Sequence, residues 1–211
     1  MLGYYAERFS TVEVNNSFYR MPDADVLKSW GREVPVGFQF SLKAPQAITH
    51  FKRLKNAEAL TQEFLDVTSV LKRRRGPLLF QLPPNFKIDI PRLEAFLRLL
   101  RKRKSIAFEF RHASWFDNEV YDLLRANSCA LCVADSDDVP CADPVSTAGW
   151  GYVRLRRKRY TRKELAEWIE KLRKQPWEEA YVFFKHEDSG TGPKYAARFL
   201  ELAAGDALET P

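Results

Sequence analysis

Ile106-Ala107-Phe108-Glu109-Phe110-Arg111 alternates large apolar residues with small or charged ones, and that alternation sets the reading of the whole chain. A period of two belongs to a β-strand, whose successive side chains point to opposite faces. Ile106, Phe108 and Phe110 share one face, and Glu109 and Arg111 share the other. Six further β-rich runs sort the same way: residues 11–15, 38–43, 78–82, 130–135, 152–156 and 181–185. Their apolar faces are Val12 and Val14; Phe38, Phe40 and Leu42; Leu78, Phe80 and Leu82; Cys132 and Ala134; Val153 and Leu155; Val182 and Phe184. The opposite faces carry Glu13 and Asn15; Gln39, Ser41 and Lys43; Gln81; Asp135; Tyr152, Arg154 and Arg156; and Lys185, most of them near strand ends.

Helical periods separate these runs. Leu60, Phe64, Val67 and Leu71 recur at helical spacing, as do Leu93, Phe96, Leu97 and Leu100, then Leu165, Trp168, Ile169 and Leu172. Thr161-Arg162-Lys163-Glu164 is a capping box that opens the last of these helices. Shorter helices fit residues 23–32, 118–126 and 194–203, while residues 136–150 show no helical period and read as a loop. Strands alternating with helices imply βαβ units around a parallel sheet. In an open doubly wound sheet both faces are covered by helices and both are apolar. Here one face is polar toward the strand ends, which fits a TIM-type (β/α) barrel whose C-terminal mouth carries its site. The expectation is an α/β protein of seven strands, with residues 1–211 forming one barrel domain.

Bulk properties agree. A chain of 211 residues, 45% hydrophobic and 13% aromatic, can bury a sizeable core, which excludes a disordered chain. Its longest apolar runs, such as residues 76–82 and 106–110, are far shorter than the roughly 18 residues of a membrane span, and no signal-peptide pattern opens it. A soluble cytoplasmic protein with no membrane partner is expected. Cys129, Cys132 and Cys141 are an odd set, so a disulfide framework is not expected; Cys129 and Cys132 fall in a strand-like run and read as packing residues. The net charge of +6 permits an anionic partner. Two basic runs, residues 72–75 and 101–104, close helical patterns and read as solvated helix ends.

Five ordered stretches, covering nearly the whole chain, carry a resemblance. They are Val12-Glu-Val-Asn-Asn-Ser-Phe-Tyr19, Phe40-Ser-Leu-Lys43 through Thr49-His50, Gly76-Pro-Leu-Leu-Phe-Gln-Leu-Pro-Pro84, Phe108-Glu-Phe-Arg-His-Ala-Ser-Trp115 and Tyr152-Val-Arg-Leu155. The chain resembles the YecE-like family, domain of unknown function 72. The resemblance implies a TIM-type barrel and, since the family's activity is not established, no reaction. Members begin with a Gly-Ser-Gly-Trp-type strand before the helix that here starts near Leu2, so the first barrel strand is missing from the pattern. Where members carry His-Gly and Asn-Asn near the last two strands, this chain has Arg156-Arg157 and Lys185-His186, a more basic mouth.

Glu13, Lys43, Glu109 and Arg111 are the candidate catalytic residues. A carboxylate beside cations can act as a general base, while Lys and Arg hold an anion or stabilise developing negative charge. The competing reading is a buried ion-pair network that only fixes the interior. Asn15, Tyr19, His50, Gln81, Trp115, Asp135, Arg154, Arg156 and Lys185 are candidate substrate-binding residues. Arg154, Arg156, Arg157 and Lys185 end neighbouring strands where this fold often holds phosphate, and Gly190-Thr191-Gly192 precedes a helix. A solvated charged loop is the plain alternative for the 154–160 run. His50, His112 and His186 all follow strands, so a single divalent metal with Glu13, Glu109, Asp135 or Glu187 is possible, but no H-x-x-H spacing supports it and no metal ligand is assigned. His112 also has the wrong parity to join Glu109 and Arg111. No cofactor is identified.

Three functions follow. The leading one is an enzyme acting on a phosphate-bearing small molecule or nucleic acid by hydrolysis or another general acid/base step. The alternatives are a non-catalytic nucleic-acid or anion-binding barrel, and a metal-dependent sugar-type isomerase or lyase. The oligomeric state is left open.

Overall fold

A computed structural model describes residues 2–100, 105–137, 143–185 and 190–205. The basic run 101–104, Cys141, His186 and Glu187 lie outside the described residues. The chain forms two compact units, residues 1–130 and 131–211.

The first unit opens with a short helix α1 (Leu2–Ala6) and then runs β1 (Thr11–Val14), α2 (Asn16–Tyr19), α3 (Ala24–Glu33), β2 (Gln39–Lys43), α4 (Glu58–Ser69), β3 (Arg75–Gln81), α5 (Ile90–Leu99), β4 (Ile106–Glu109) and α6 (Asn118–Ala126). Its strands pair in sequence order, each parallel to the next. The second unit takes β5 (Ala130–Asp135) from its second residue onward, then β6 (Trp150–Leu155), α7 (Arg162–Arg173), β7 (Glu179–Phe184) and α8 (Thr191–Gly205), and its strands are again parallel and in order. The strand–helix alternation of a (β/α) barrel-type fold, with seven strands among the described residues, is the architecture expected from the sequence. Among these residues no helix is long and apolar enough to cross a membrane.

Local chemistry accounts for the element boundaries. Asp23, Asp89, Asp117 and Thr161 each accept backbone N–H bonds at the starts of α3, α5, α6 and α7. At Thr161 both halves of the capping box are present, as its spacing to Glu164 predicts. β3 starts three residues earlier than its alternation indicates, because Gly76 and Pro77 form a bulge: Phe40 pairs with Arg75 but Leu42 with Leu78. Proline has no N–H for the ladder, and a Cβ on Gly76 would lie 3.2 Å from the Phe40 carbonyl oxygen. Arg75 therefore belongs to a strand, and only Lys72–Arg74 make the turn after α4.

In the first unit the expected apolar faces meet the helices. Phe80 packs against Phe64 of α4 and Phe96 of α5, with Phe108 stacked beside it at 5.6 Å. The buried face of α4 is turned from the expected one: Thr61, Phe64, Leu65 and Thr68 are buried, while Leu60 and Val67 are only half-buried. Thr68 is tolerated inside because its hydroxyl donates to the Phe64 carbonyl at 2.8 Å.

In the second unit Val133, Val153 and Leu155 pack with Leu165, Trp168, Ile169 and Phe199, with Val182 and Phe184 against them. This corrects the face assigned to β5. Val133 and Asp135, in register with Val153 and Leu155, face the helices, and Cys132 and Ala134 pair with Tyr152 and Arg154 on the other side. Gly151 is required on β6, since a Cβ there would meet the Trp177 ring.

Candidate functional site

The register of the first unit places the expected charged residues together. Glu13 pairs with Ser41, Lys43 with Leu79 and Gln81 with Glu109, so Glu13, Lys43, Gln81 and Glu109 share the face turned from α4 and α5. Gln81 Nε2 donates to Glu109 Oε1 at 2.7 Å, and both side chains are buried with Lys43. Burying a carboxylate and an ammonium is costly unless each is compensated. At the rim, Asn15 donates to the half-buried Glu13 at 3.1 Å. Arg111 lies two residues beyond the end of β4 and is exposed.

A short helix completes this group. The buried Ser17 hydroxyl lies 2.8 Å from the Lys43 carbonyl oxygen and 3.0 Å from that of Val14, tying the ends of β1 and β2 together. That sets the Phe18 ring beside Lys43, whose Nζ is 3.8 Å from the ring centroid. His50, in the π-helical turn Ala47–Phe51, also meets Phe18, edge-on at 4.8 Å. Its Nδ1 lies 2.9 Å from Thr49 Oγ1. Partial burial, followed by the charges of Lys43 and Arg111, holds the imidazole below the usual histidine range, against an opposing pull from Glu109. Lys43, His50, Gln81, Glu109 and Arg111 thus form one electrostatic group. Phe18 has no signature in the sequence, because an apolar residue one place before Tyr19 carries no charge. Tyr19 itself is exposed and lies edge-on to Phe18 at 5.1 Å.

Two aromatic and imidazole groups are structural. Trp115, expected as a surface for ligand, is fully buried; its ring stacks on Phe110 at 4.7 Å, and its indole N–H donates to the Phe86 carbonyl at 2.7 Å. That corrects its placement among the substrate-contacting residues. His112 Nδ1 accepts from the Ser114 backbone N–H at 3.1 Å and caps a short turn, in keeping with its parity.

The second unit divides the expected anion-binding residues. Arg154 pairs with Phe183 and Leu155 with Phe184, and the Lys185 backbone N–H donates to Leu155, so Arg154, Arg156 and Lys185 share the face away from the apolar cluster. Arg154 is buried; Arg156 and Lys185 are half-buried. Arg157 is engaged elsewhere, its Nε 2.8 Å from Asp135 and its Nη1 2.8 Å from Glu164. Tyr160 also donates to Asp135 at 2.9 Å. Burial pushes the Tyr160 hydroxyl above the ordinary tyrosine range. Bonds from the Thr161 backbone and hydroxyl draw the Glu164 carboxyl down to about 2. Asp135 therefore stands in a helix-side network rather than beside Arg154, which corrects its expected placement. Glu164 was legible only as a cap, and Tyr160 only as part of a basic run.

Among the described residues no three of His, Cys, Asp and Glu gather as metal ligands. Cys129 and Cys132 are buried free thiols, and burial pushes the Cys129 thiol up to about 12.

All 211 positions match the family model described as Protein of unknown function DUF72. UPF0759 protein YecE of Escherichia coli (strain K12) is 34% identical over 150 residues, which cover 68% of this chain and 55% of YecE. The chain thus matches about half the length of that relative. UPF0759 protein YunF of Bacillus subtilis (strain 168) is 25% identical across 94% of this chain and 84% of its own length. A crystal structure of a DUF72 family protein from Enterococcus faecalis V583 superposes with a TM-score of 0.81 at 21% identity, covering 97% of this chain and 93% of that one. Another, from Thermotoga maritima MSB8, gives 0.79 at 26% identity over 93% and 85% of the two chains.

Proposed function

This chain belongs to the DUF72 family of proteins of unknown function, and we propose that it is an enzyme acting on a phosphate-bearing substrate, nucleic acid included, by general acid/base hydrolysis at the ends of β1 to β4. One observation carries the reading: the buried Glu109, held by Gln81, lies in one electrostatic group with two cations and a histidine whose charged form burial disfavours. In this reading Glu109 takes the proton of the attacking water, while Lys43 and Arg111 hold the phosphoryl oxygens. With Thr49 Oγ1 donating to Nδ1, His50 carries its proton on Nε2 and hydrogen-bonds the departing oxygen without giving up that proton, so the leaving group departs as its anion and takes its proton from solvent. Glu13 and Asn15 at the rim orient the rest of the substrate.

The test is hydrolysis of p-nitrophenyl phosphate and bis-p-nitrophenyl phosphate by the wild type and Glu109→Gln. The amide keeps the shape of the carboxylate and can still accept from Gln81. Turnover is expected to fall by about 10²- to 10⁴-fold while the melting temperature moves by only a few degrees. Turnover within tenfold of the wild type removes Glu109 from the reaction. Salt-dependent phosphate binding with no turnover in the wild type supports the non-catalytic anion-binding alternative instead.

A further inference from the structure

We propose that the segment following β2, together with α2, is a lip that binds single-stranded nucleic acid; this deepens the acid/base reading above and rests on it. The backbone there is unusual. After the π-helical turn Ala47–Phe51, Arg53, Leu54 and Asn56 take φ of 47°, 68° and 50°. Each sets a Cβ against a carbonyl oxygen, so three such residues within four positions persist only where packing holds them. Leu54 supplies that anchor, being buried, while Phe51, Lys52 and Lys55 are exposed.

The lip is aromatic and basic together. Phe51 is 74% exposed and Tyr19 is 73% exposed; Tyr19 meets Phe18 and Phe18 meets His50, the residue before Phe51 in the sequence. Residues 43–57 hold Lys43, Lys52, Arg53 and Lys55 and no acidic residue, and Arg20 follows Tyr19. Exposed rings interleaved with cations match a strand that offers planar bases and phosphates in alternation: the rings stack on bases, and the cations replace counterions along the backbone. The arrangement also leads to Glu109 through Lys43 and His50, so a bound strand would present its phosphates to the acid/base group.

The measurement is fluorescence anisotropy of a labelled 15-mer of thymidylate, and of an abasic strand of equal length, on the full chain carrying Glu109→Gln. The base-bearing strand is expected to bind in a steeply salt-dependent way and at least about tenfold more tightly than the abasic one, given the worth of a stacked base. Tyr19→Ala with Phe51→Ala should remove that preference without altering the melting temperature, since both side chains are exposed. Lys52→Ala with Lys55→Ala should flatten the salt dependence instead. No binding at low salt, equal binding of the abasic strand, or unchanged binding by the double aromatic variant overturns the proposal. So does binding to phosphatidylglycerol vesicles without binding to the strand. Turnover of the small phosphate esters without strand binding sinks the lip alone, whereas strand binding with no ester turnover in the wild type supports the lip and sinks the acid/base reading.

Discussion

Replacing Asp135 with Asn tests whether the helix-side network of the second unit is a coupled unit. Asp135 is 6% exposed, and its Oδ2 receives Tyr160 at 2.9 Å and Arg157 Nε at 2.8 Å. Asn can place an oxygen in the same position, so both bonds survive as bonds to a neutral acceptor. A bond to a charged group is worth about 1 kcal/mol more than a neutral one, so the loss is about 2 kcal/mol for the pair. Arg157→Met removes the cation and strands the carboxylate. Breaking a fully buried pair costs about 3–5 kcal/mol, but the Arg157 side chain is 28% exposed, which lowers the expectation to about 2–3 kcal/mol. For a chain of this size each kcal/mol moves the melting temperature by about 2–4 °C, so both variants should melt measurably lower by circular dichroism. The double variant decides the matter. Two changes acting on one shared bond should fall short of additivity by about 1–2 kcal/mol. Strict additivity, or two single variants that melt with the wild type, would refute the network as an energetic unit.

Two further outcomes follow from particular side chains. The Thr61 hydroxyl is buried without a hydrogen-bond partner among the described residues, whereas that of Thr68 donates to Phe64. Thr61→Val should therefore be neutral or stabilising by up to about 1 kcal/mol, and Thr68→Val destabilising by a similar amount, in thermal melts; equal signs would contradict the assignment. Glu164 titrates near 2 in the folded chain against an ordinary 4.5, so its contribution is complete above the unfolded value and is lost as pH falls from about 4.5 toward 2. The melting difference between the wild type and Glu164→Gln should accordingly be largest above pH 5 and close at the acid end, and a difference independent of pH would count against it.

Alternation alone was enough for all seven strands, and the face of each strand in the first unit followed from it. There each strand is apolar on one side and carries Glu13, Lys43, Gln81 or Glu109 on the other, so a one-residue slip would bury the wrong set. The Thr161–Glu164 box was equally legible, since a cap depends on neighbours three residues apart. Residues 130–135 lacked that contrast. Both of their alternate sets are mostly apolar, so their composition could not say which side Asp135 takes; pairing with β6 and the bonds to Arg157 and Tyr160 decide it. Trp115 follows the same logic, because an indole after a strand reads the same whether it stacks on a ligand or on Phe110. The gathering of Phe18 and His50 around Lys43 was beyond sequence reading as well. It depends on the Ser17 bridge between two strand ends and on a strained turn, and contacts made across about thirty residues leave no local period to read. Which residues alternate and where helices start are local matters of backbone geometry, and the order of residues along the chain is enough to read both. Which charges meet was decided by tertiary structure, because strand register and packing set those distances.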